Sequence, residues 1–222
     1  IGIDLASSLG SKIIKIIGPL SKFDKRAEIN IKKIFPKLNV IEQKNIKKNM
    51  WDNLGRNLGE FSFANRLNPY NNQSINSYKN KPRFIIEGQK YIDDICKMKT
   101  GAIFFSAHIG NWEICPLILS SKNLKVTSIY RHANNPLNEK IIQWLRKGIS
   151  IYAPKGPSGA KTLFKVLRNK EFAAILADQK LNEGKLINFL GHPAKTATAI
   201  GELAIKLSIP IVHIESGLRL FD

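Results

Sequence analysis

The stretch Ala102-Ile103-Phe104-Phe105-Ser106-Ala107-His108-Ile109-Gly110-Asn111-Trp112-Glu113 combines two structural patterns within twelve residues. Its first five residues, up to Ser106, are almost all apolar and predict a buried strand, whereas residues 112–120 predict a helix with an apolar face. Gly110 permits a tight turn between them, and Asn111 is a candidate N-cap for the helix. The stretch therefore predicts strand, turn and helix, the unit from which open α/β sheets are built.

Strand and helix patterns alternate on both sides of this stretch. Before it, we predict a short strand at 84–86 and a helix at 88–98. After it, we predict strands at 125–130, 149–152, 172–176 and 211–214, and helices at 138–147, 159–169 and 198–207. Alternation of this kind is typical of a mainly parallel sheet with helices on its faces. We therefore expect an α/β core over residues 81–222.

The segment before the core has a different pattern. Apolar residues recur at helical spacing over 29–35 and again over 50–63, and the first run stops at Pro36. Residues 68–80 are polar and turn-prone, which predicts a loop or linker. We expect residues 1–80 to form a helical segment that associates with a membrane. Because the chain starts at Ile1 and stops just after a predicted strand, we also expect the core to be truncated at its C-terminus.

The net charge is strongly positive, since 35 Lys and Arg stand against 17 Asp and Glu, which gives +18. An anionic partner is expected, and nucleic acid, an acidic membrane surface and an acidic or phosphorylated substrate all fit. Only eight of the basic residues are Arg, and abundant Lys, Ile and Asn also fit a coding bias. No apolar run approaches the ~20 residues that span a bilayer. Cys96 and Cys115 form no disulfide framework, which fits a reducing compartment.

His108 and Glu113 are the first candidate catalytic residues, because they follow the buried strand where open α/β sheets bind ligands. With His108 in the turn and Glu113 in the first helical turn, the carboxylate can fold back toward the imidazole. A carboxylate bonded to one ring nitrogen makes the other nitrogen a better base. The structural alternative is an isolated histidine at a strand end and a glutamate that interacts with the helix dipole.

Other reaction classes lack their sequence signatures. There is no G-x-S-x-G, no H-E-x-x-H, no Walker sequence and no G-x-G-x-x-G, and Cys115 lies on an apolar helix face. The four histidines are scattered, so we expect neither a metal nor a cofactor. A histidine base that deprotonates a substrate hydroxyl directly remains, which points to group transfer without a covalent enzyme intermediate.

The motif H-x-x-x-x-E within SAHIGNWE resembles the catalytic motif of the lysophospholipid acyltransferase superfamily, and within it the bacterial lipid A (lauroyl/myristoyl) acyltransferases. Later blocks resemble that branch in order and spacing: Tyr130-Arg131 with Asn135-Pro136-Leu137 and Arg146, then Ala177-Asp178-Gln179, Phe189 to Thr196, and Pro210 to His213. The sequence departs from the family pattern at His213, where proline is frequent, and in lacking the N-terminal apolar anchor and the C-terminal segment.

The resemblance implies an O-acyltransferase that uses an acyl carrier protein or CoA thioester as donor. Within this branch, it implies transfer of an acyl chain from acyl carrier protein to a hydroxyl of a phosphorylated lipid A precursor, at the cytoplasmic face of the inner membrane. His108 would be the base and Glu113 its orienting partner. The implied substrate-binding residues are Arg131 and Arg146, for sugar phosphate or developing charge, Asp178 as a second polar partner that orients Arg146, and Gln179 and Thr196. The implied partners are acyl carrier protein, a phosphorylated glycolipid and an anionic membrane surface, with no nucleic acid.

Two functional alternatives stay open at this point. One is an acyltransferase for another lipid acceptor, either a glycerophosphate or a phosphatidylinositol mannoside. The former usually shows H-x-x-x-x-D and F-P-E-G-T, both absent here, whereas the latter shares H-x-G-N-W. The other is a basic nucleic-acid-binding domain, which rests on charge alone and has no recognisable binding module. Arg146 has a structural alternative too, as a charge near a helix C-terminus.

Overall fold

The computed structural model describes residues 2–70, 77–78, 81–133 and 135–217, of which 77–78 and 81–82 are described by their backbone alone. The chain divides into two compact units, Ile1–Phe63 and Ala64–Asp222. This division falls before the boundary that we expected near residue 80. Residues 71–76 and 79–80 of the predicted linker lie outside the described residues.

Three helices form the first unit: α1 (Ile3–Ile17), α2 (Lys22–Ile34) and α3 (Val40–Phe61). Helix α2 ends two residues before Pro36, because the residue that precedes a proline is disfavoured in helical conformation. Helix α3 begins with a reciprocal cap. The Asn39 side chain accepts hydrogen bonds from the backbone N–H groups of Ile41 and Glu42, and the Glu42 carboxylate accepts one from the Asn39 N–H.

Helices α1 and α3 pack with their backbones in contact, because glycines line the interface. A Cβ added at Gly55 would collide with the Gly10 carbonyl, and one added at Gly59 would collide with the Ala6 carbonyl. Such close approach is possible only for residues without side-chain bulk. The apolar side chains on another face of α1, among them Leu5, are left exposed to solvent.

A partly buried carboxylate also connects α1 to α3. The Asp52 carboxylate accepts hydrogen bonds from Ser11 Oγ at 2.6 Å and Arg56 Nε at 2.7 Å, and Lys15 Nζ lies 2.8 Å away. Burial opposes ionisation of Asp52, but these donors outweigh it and hold the pKa of the carboxyl well below its usual range. The contact is therefore a charged one at neutral pH.

The second unit contains a five-stranded parallel sheet in the order β5-β4-β6-β3-β9. Its strands are β3 (Ala102–Ser106), β4 (Val126–Tyr130), β5 (Ile151–Pro154), β6 (Phe172–Leu176) and β9 (Ile211–His213). The helices are α4 (Gln89–Met98), α5 (Ile114–Ser120), α6 (Pro136–Leu145), α7 (Pro157–Arg168) and α8 (Ala199–Leu207). The predicted α/β fold with its parallel sheet is confirmed.

Strand β3 lies inside the sheet and is buried on both faces. Phe104 packs on one face in a cluster with Ile92 and Leu119, from α4 and α5. Ile103 packs on the other face with Leu163, from α7, and with Ala204, from α8. A parallel strand covered by helices on both sides needs apolar residues at consecutive positions, and residues 102–105 supply them.

Two parts of the structure differ from the sequence-based predictions. Residues 84–86 form no strand, and the short antiparallel pair nearby consists of β1 (Ser77–Tyr78) and β2 (Lys81–Pro82). The prediction at 84–86 is wrong because this apolar triplet has no partner strand, and Ile85 is exposed. The sequence analysis also missed an antiparallel hairpin outside the main sheet, β7 (Lys185–Phe189) with β8 (His192–Thr196).

No helix within the described part of the chain has both the length and the apolar character to cross a membrane.

Substitution of Gly55 tests the close packing of α1 on α3. We expect Gly55→Ala to destabilise the first unit by about 1–3 kcal/mol, because the added methyl overlaps the Gly10 carbonyl. Gly201→Ala is the matched control, since Gly201 also lies in a helix and its new Cβ meets nothing within 4 Å. That change should be neutral or stabilise by up to ~1 kcal/mol. Hydrogen exchange of α3 amides measures the first change and that of α8 amides the second, and unchanged α3 exchange in Gly55→Ala would contradict the packing.

Candidate active site

The register of β3 against β6 determines which side chains meet at the carboxyl edge of the sheet. The two strands pair residue by residue, from Ala102 opposite Phe172 to Ser106 opposite Leu176. The pairing continues beyond the strands, since the Ala177 N–H donates to the Ser106 carbonyl at 2.8 Å. The same register places the next residues, His108 and Asp178, opposite each other.

His108 and Asp178 form a doubly bonded pair. His108 Nδ1 lies 2.8 Å from Asp178 Oδ1, and the His108 backbone N–H donates to Oδ2 at 2.9 Å. The side chains are 31% and 33% exposed, so the pair is reachable from solvent. Burial opposes ionisation of Asp178, but the hydrogen bonds from His108 outweigh it and lower the pKa of the carboxyl. An ionised carboxylate on Nδ1 fixes the ring and its tautomer, so that Nε2 is left as the basic nitrogen.

Glu113 is bound to Arg146 instead of His108, which corrects the predicted pairing. Arg146 donates from Nη2 to Oε1 of Glu113 at 2.5 Å and from Nε to Oε2 at 3.1 Å. The side chains of Arg146 and Glu113 are 18% and 15% exposed. Asp178 was expected to orient Arg146, so the two carboxylates have exchanged partners.

The exchange has two physical causes. Helix α5 begins at Ile114, so Glu113 is its N-cap residue and lies before the first turn in which we expected it. The guanidinium also matches both oxygens of a carboxylate at once, which an imidazole does not. The N-cap prediction for Asn111 is wrong for the same reason: the helix starts later, and the Asn111 N–H donates to Ser216 Oγ at 3.0 Å.

Two tyrosines enclose the Arg146 guanidinium. Its central carbon lies 4.9 Å from the Tyr130 ring centre and 5.5 Å from that of Tyr152. Burial raises the pKa of both phenols, that of Tyr152 to about 12, so both rings stay neutral. Arg146 is the C-cap residue of α6, but its guanidinium belongs to this cluster. The alternative of a charge serving only the helix end therefore does not describe it.

Glu139 organises the residues after β4 and was not predicted. Its carboxylate accepts hydrogen bonds from Tyr130 Oη at 2.8 Å and the Ala133 N–H at 2.7 Å, and it lies 2.8 Å from His132 Nδ1. Burial opposes ionisation, but these contacts, with one from Gln143, lower the pKa of Glu139 to about 2. The sequence feature that could have indicated Glu139 is its position one turn into α6, after the N-cap residue Asn135.

Trp112 connects the two pairs and was also missed as a site residue. Its ring centre lies 5.1 Å from that of His108, edge to face. Its indole Nε1 donates to Glu113 Oε1 at 3.2 Å. The imidazole and the Glu113–Arg146 pair therefore share one aromatic neighbour, and movement of either would disturb its packing.

The remaining predicted site residues differ in how near they lie to His108. Gln179 is adjacent, with its amide nitrogen 3.4 Å from His108 Nε2. Arg131 is exposed and forms no ion pair with any residue in the described ranges. Thr196, at the end of β8, donates to the Ala194 carbonyl at 3.1 Å, and no described contact joins it to His108 or Arg146. The structure thus brings His108, Asp178 and Gln179 together, and Glu113 with Arg146.

The loop that carries His108 is supported from behind by the segment after β9. Gly110 has a left-handed φ of 56°, and a Cβ there would collide with the Ser216 carbonyl. Only glycine satisfies both the conformation and the close approach. Cys115 is buried nearby, and burial raises the pKa of its thiol to about 11, so this thiol is not a nucleophile at neutral pH.

The comparisons with known proteins identify the family. No curated protein matches the chain. The profile of the bacterial lipid A biosynthesis acyltransferases matches residues 1–215, which include the first unit, most of the second, and His108, Glu113, Arg146 and Asp178. Enzymes of this description transfer acyl groups in lipid A biosynthesis, and the arrangement of an accessible imidazole on a carboxylate fits acyl transfer. The chain belongs to the bacterial lipid A biosynthesis acyltransferase family.

Proposed function

We propose that this protein transfers a fatty acyl chain from acyl carrier protein to a hydroxyl of a phosphorylated lipid A precursor, with His108 as the general base. The observation that carries the proposal is the doubly hydrogen-bonded His108–Asp178 pair at the carboxyl edge of the parallel sheet. Membership of the lipid A acyltransferase family supports the reaction class and the type of acceptor. The donor and the residue roles are part of the proposal.

The reaction needs one proton to move to the imidazole and back. Nε2 of His108 takes the proton of the acceptor hydroxyl while that oxygen attacks the thioester carbon. The resulting tetrahedral oxyanion collapses, the C–S bond breaks, and the imidazolium returns the proton to the leaving thiolate. The Asp178 carboxylate stabilises the imidazolium formed between these steps, because it is ionised and bonded to Nδ1. No covalent enzyme intermediate is required.

Gln179 is positioned to respond to the incoming substrate. Its amide nitrogen lies 3.4 Å from Nε2, where the acceptor hydroxyl must arrive. We infer that the hydroxyl displaces this amide, which then donates to the substrate. A side-chain amide near the reacting carbonyl is a suitable donor for a developing oxyanion, and one such donor is worth roughly 3 kcal/mol in other acyl-transfer enzymes.

Glu113 and Arg146 act in this proposal as positioning residues. The guanidinium is bonded bidentately to Glu113 and enclosed by two tyrosines, so it is held in one orientation. Trp112 contacts both the His108 ring and the Glu113 carboxylate, so this cluster supports the His108 ring through Trp112. The exposed Arg131 is better placed than the enclosed Arg146 to bind an acceptor phosphate, and we assign that role to Arg131.

Charge and exposed apolar surface support the proposed donor and membrane location. Acyl carrier protein is acidic, and a chain with a net charge of +18 attracts it electrostatically. Helix α1 exposes Leu5, Leu9, Ile13 and Ile16 along one face, and Lys12 is exposed on the same helix. An apolar helix face with basic neighbours fits the surface of an anionic membrane. We therefore propose attachment to the cytoplasmic face of the inner membrane.

A double-mutant cycle tests the base and its partner. His108→Ala should reduce kcat/KM by roughly 10²–10⁴-fold, and Asp178→Asn should cause a large loss as well. Because the two residues act as a unit, adding Asp178→Asn to His108→Ala should cost little more. The pairing of Glu113 with His108 predicted from sequence would be restored by two results together: the effects of Asp178→Asn and His108→Ala add fully, and those of Glu113→Gln and His108→Ala do not.

Conservative replacement of Arg146 tests its positioning role. Arg146→Lys should lower kcat at least about tenfold, because lysine provides neither the bidentate bond nor the planar stacking surface. Arg168→Lys is the matched control, since Arg168 also lies at a helix end over an aromatic ring, and it should change little. The loss should be equal for phosphorylated and dephosphorylated acceptors. A loss that vanishes with the dephosphorylated acceptor would make Arg146 a phosphate ligand instead.

The salt dependence of the rate tests the donor. With acyl carrier protein as donor, kcat/KM should fall at least about tenfold between ~50 and ~500 mM NaCl, because screening weakens the attraction between opposite charges. With a short, uncharged thioester the same change of salt should alter the rate by less than about twofold. Equal salt dependence for both donors would count against docking of an acidic carrier protein.

A further inference from the structure

The β7–β8 hairpin ends in a group of apolar side chains that face water. Ile187, Phe189 and Leu190, here called the apolar tip, lie in the half of the hairpin nearer its turn and are 43%, 61% and 62% exposed. Isolated exposed leucines are common on soluble proteins, but here three apolar residues fall within four positions, and Ile187 and Phe189 share one face of the strand. The hairpin pairs only with itself and takes no part in the five-stranded sheet, so the core of the fold does not explain these residues.

The turn of the hairpin has a leucine, Leu190, in a left-handed backbone conformation that is unfavourable for leucine. Leu190 and Gly191 join the strands with φ values of 50° and 77°. A two-residue turn with both residues in the left-handed region favours Asn-Gly, and a branched side chain there is strained. Leu190 therefore carries a conformational cost in addition to the cost of its exposure to water. Both costs at one residue point to an environment in which its side chain is no longer in water.

The base of the hairpin lies beside the candidate active site. The Leu181 N–H donates to the Lys195 carbonyl at 3.1 Å, which closes the hairpin at its base. Leu181 is two residues from Gln179, whose amide lies 3.4 Å from His108 Nε2. The five-residue strand β7 extends about 17 Å, so the apolar tip lies about 17 Å from the base of the hairpin.

The charges around the hairpin identify the kind of surface. Between residues 179 and 196 there are three lysines, Lys180, Lys185 and Lys195, against one acidic residue, Glu183, which gives a net +2. Lys185 Nζ lies 2.9 Å from Glu202 Oε1, and Lys180 and Lys195 are exposed to solvent. Apolar residues at a tip with basic residues behind them match the acyl layer and the anionic headgroups of a bilayer, in that order.

We propose that the apolar tip inserts into an anionic bilayer and so holds the His108–Asp178 edge at the depth of the acceptor lipid's headgroup. The inference rests on the proposed function, because it assumes that the acceptor is taken from a bilayer. It goes beyond that function in assigning a membrane-contacting element next to the catalytic residues, separate from α1. The tip replaces contacts with water by contacts with acyl chains, which offsets both costs at Leu190.

Site-specific labelling tests insertion directly and independently of binding by α1. Cys96 is exposed and Cys115 is buried with a raised thiol pKa, so Cys96→Ser removes the one described thiol that a reagent reaches readily. In that background, Leu190→Cys carrying an environment-sensitive nitrobenzoxadiazole dye should shift to the blue on vesicles of phosphatidylglycerol and phosphatidylethanolamine. Spin-labelled acyl chains should quench it. Ile205→Cys, at a residue of α8 that is 82% exposed against 62% for Leu190, is the control and should do neither.

Leu190→Asn tests the functional consequence without damage to the hairpin, because asparagine is favoured at this turn position. The variant should fold with equal or higher stability. It should lose at least about tenfold in kcat/KM for an acceptor presented in vesicles, and should keep its rate on a short-chain acceptor dispersed as monomers. Ile205→Gln should change neither rate.

The outcomes separate this inference from the proposed function. A dye at position 190 that stays in water on anionic vesicles, or one that shifts no more than the dye at 205, overturns insertion whatever the enzymatic activity. A Leu190→Asn variant that loses its rate equally on the monomeric acceptor assigns the tip to acyl-chain or carrier-protein binding and also overturns it. Inactivity of the parent chain on every acceptor, with insertion intact, instead removes the proposed reaction.

Discussion

The candidate active site depends on the in-register parallel pairing of β3 with β6. Five consecutive residue pairs fix the two strands, and the register carries over the strand ends to place His108 opposite Asp178. Because side chains alternate between faces with a period of two, a slip of one residue would turn the entire apolar set of β3 and separate the imidazole from its carboxylate. Phe104 and Ile103 pack into different clusters on opposite faces, and the fit of each side chain to its own cluster opposes that slip. The packing that stabilises the core therefore also fixes the position of His108, the proposed base, relative to Asp178.

Two carboxylates at this edge of the sheet, Asp178 and Glu113, bind different partners. Asp178 interacts with the imidazole, which changes its protonation state if His108 is the proposed base, and Glu113 interacts with a guanidinium, which stays protonated. The first pair is partly open to solvent, and the second is enclosed by Tyr130 and Tyr152. Such a division lets the proton-transfer group remain accessible while the neighbouring charge pair stays rigid and desolvated. Trp112 touches both pairs, so the rigid pair can restrain the reactive one.

Local patterns predicted most of the fold, because strands such as 172–176 and helices such as 199–207 have clear apolar periodicity and sharp ends. The family resemblance brought His108, Glu113, Arg146 and Asp178 to one region but not into the correct pairs. That pairing depends on the strand order, in which β6 lies between β3 and β4, and no local pattern encodes which strands become neighbours. The hairpin at 185–196 escaped prediction because β7 is exposed at every position and neither strand has a fully buried residue to mark an apolar face.

The contact between Gly110 and Ser216 has a consequence for biosynthesis. The loop that carries His108 obtains its rear support from a residue more than a hundred positions later in the chain, through the Ser216 carbonyl and hydroxyl. During translation, β3, β4, β5 and β6 leave the ribosome before that support exists. The loop can reach its final conformation only after β9 has added to the edge of the sheet beside β3. Late formation of long-range contacts is slow, so the nascent enzyme stays catalytically immature until its sheet is nearly complete.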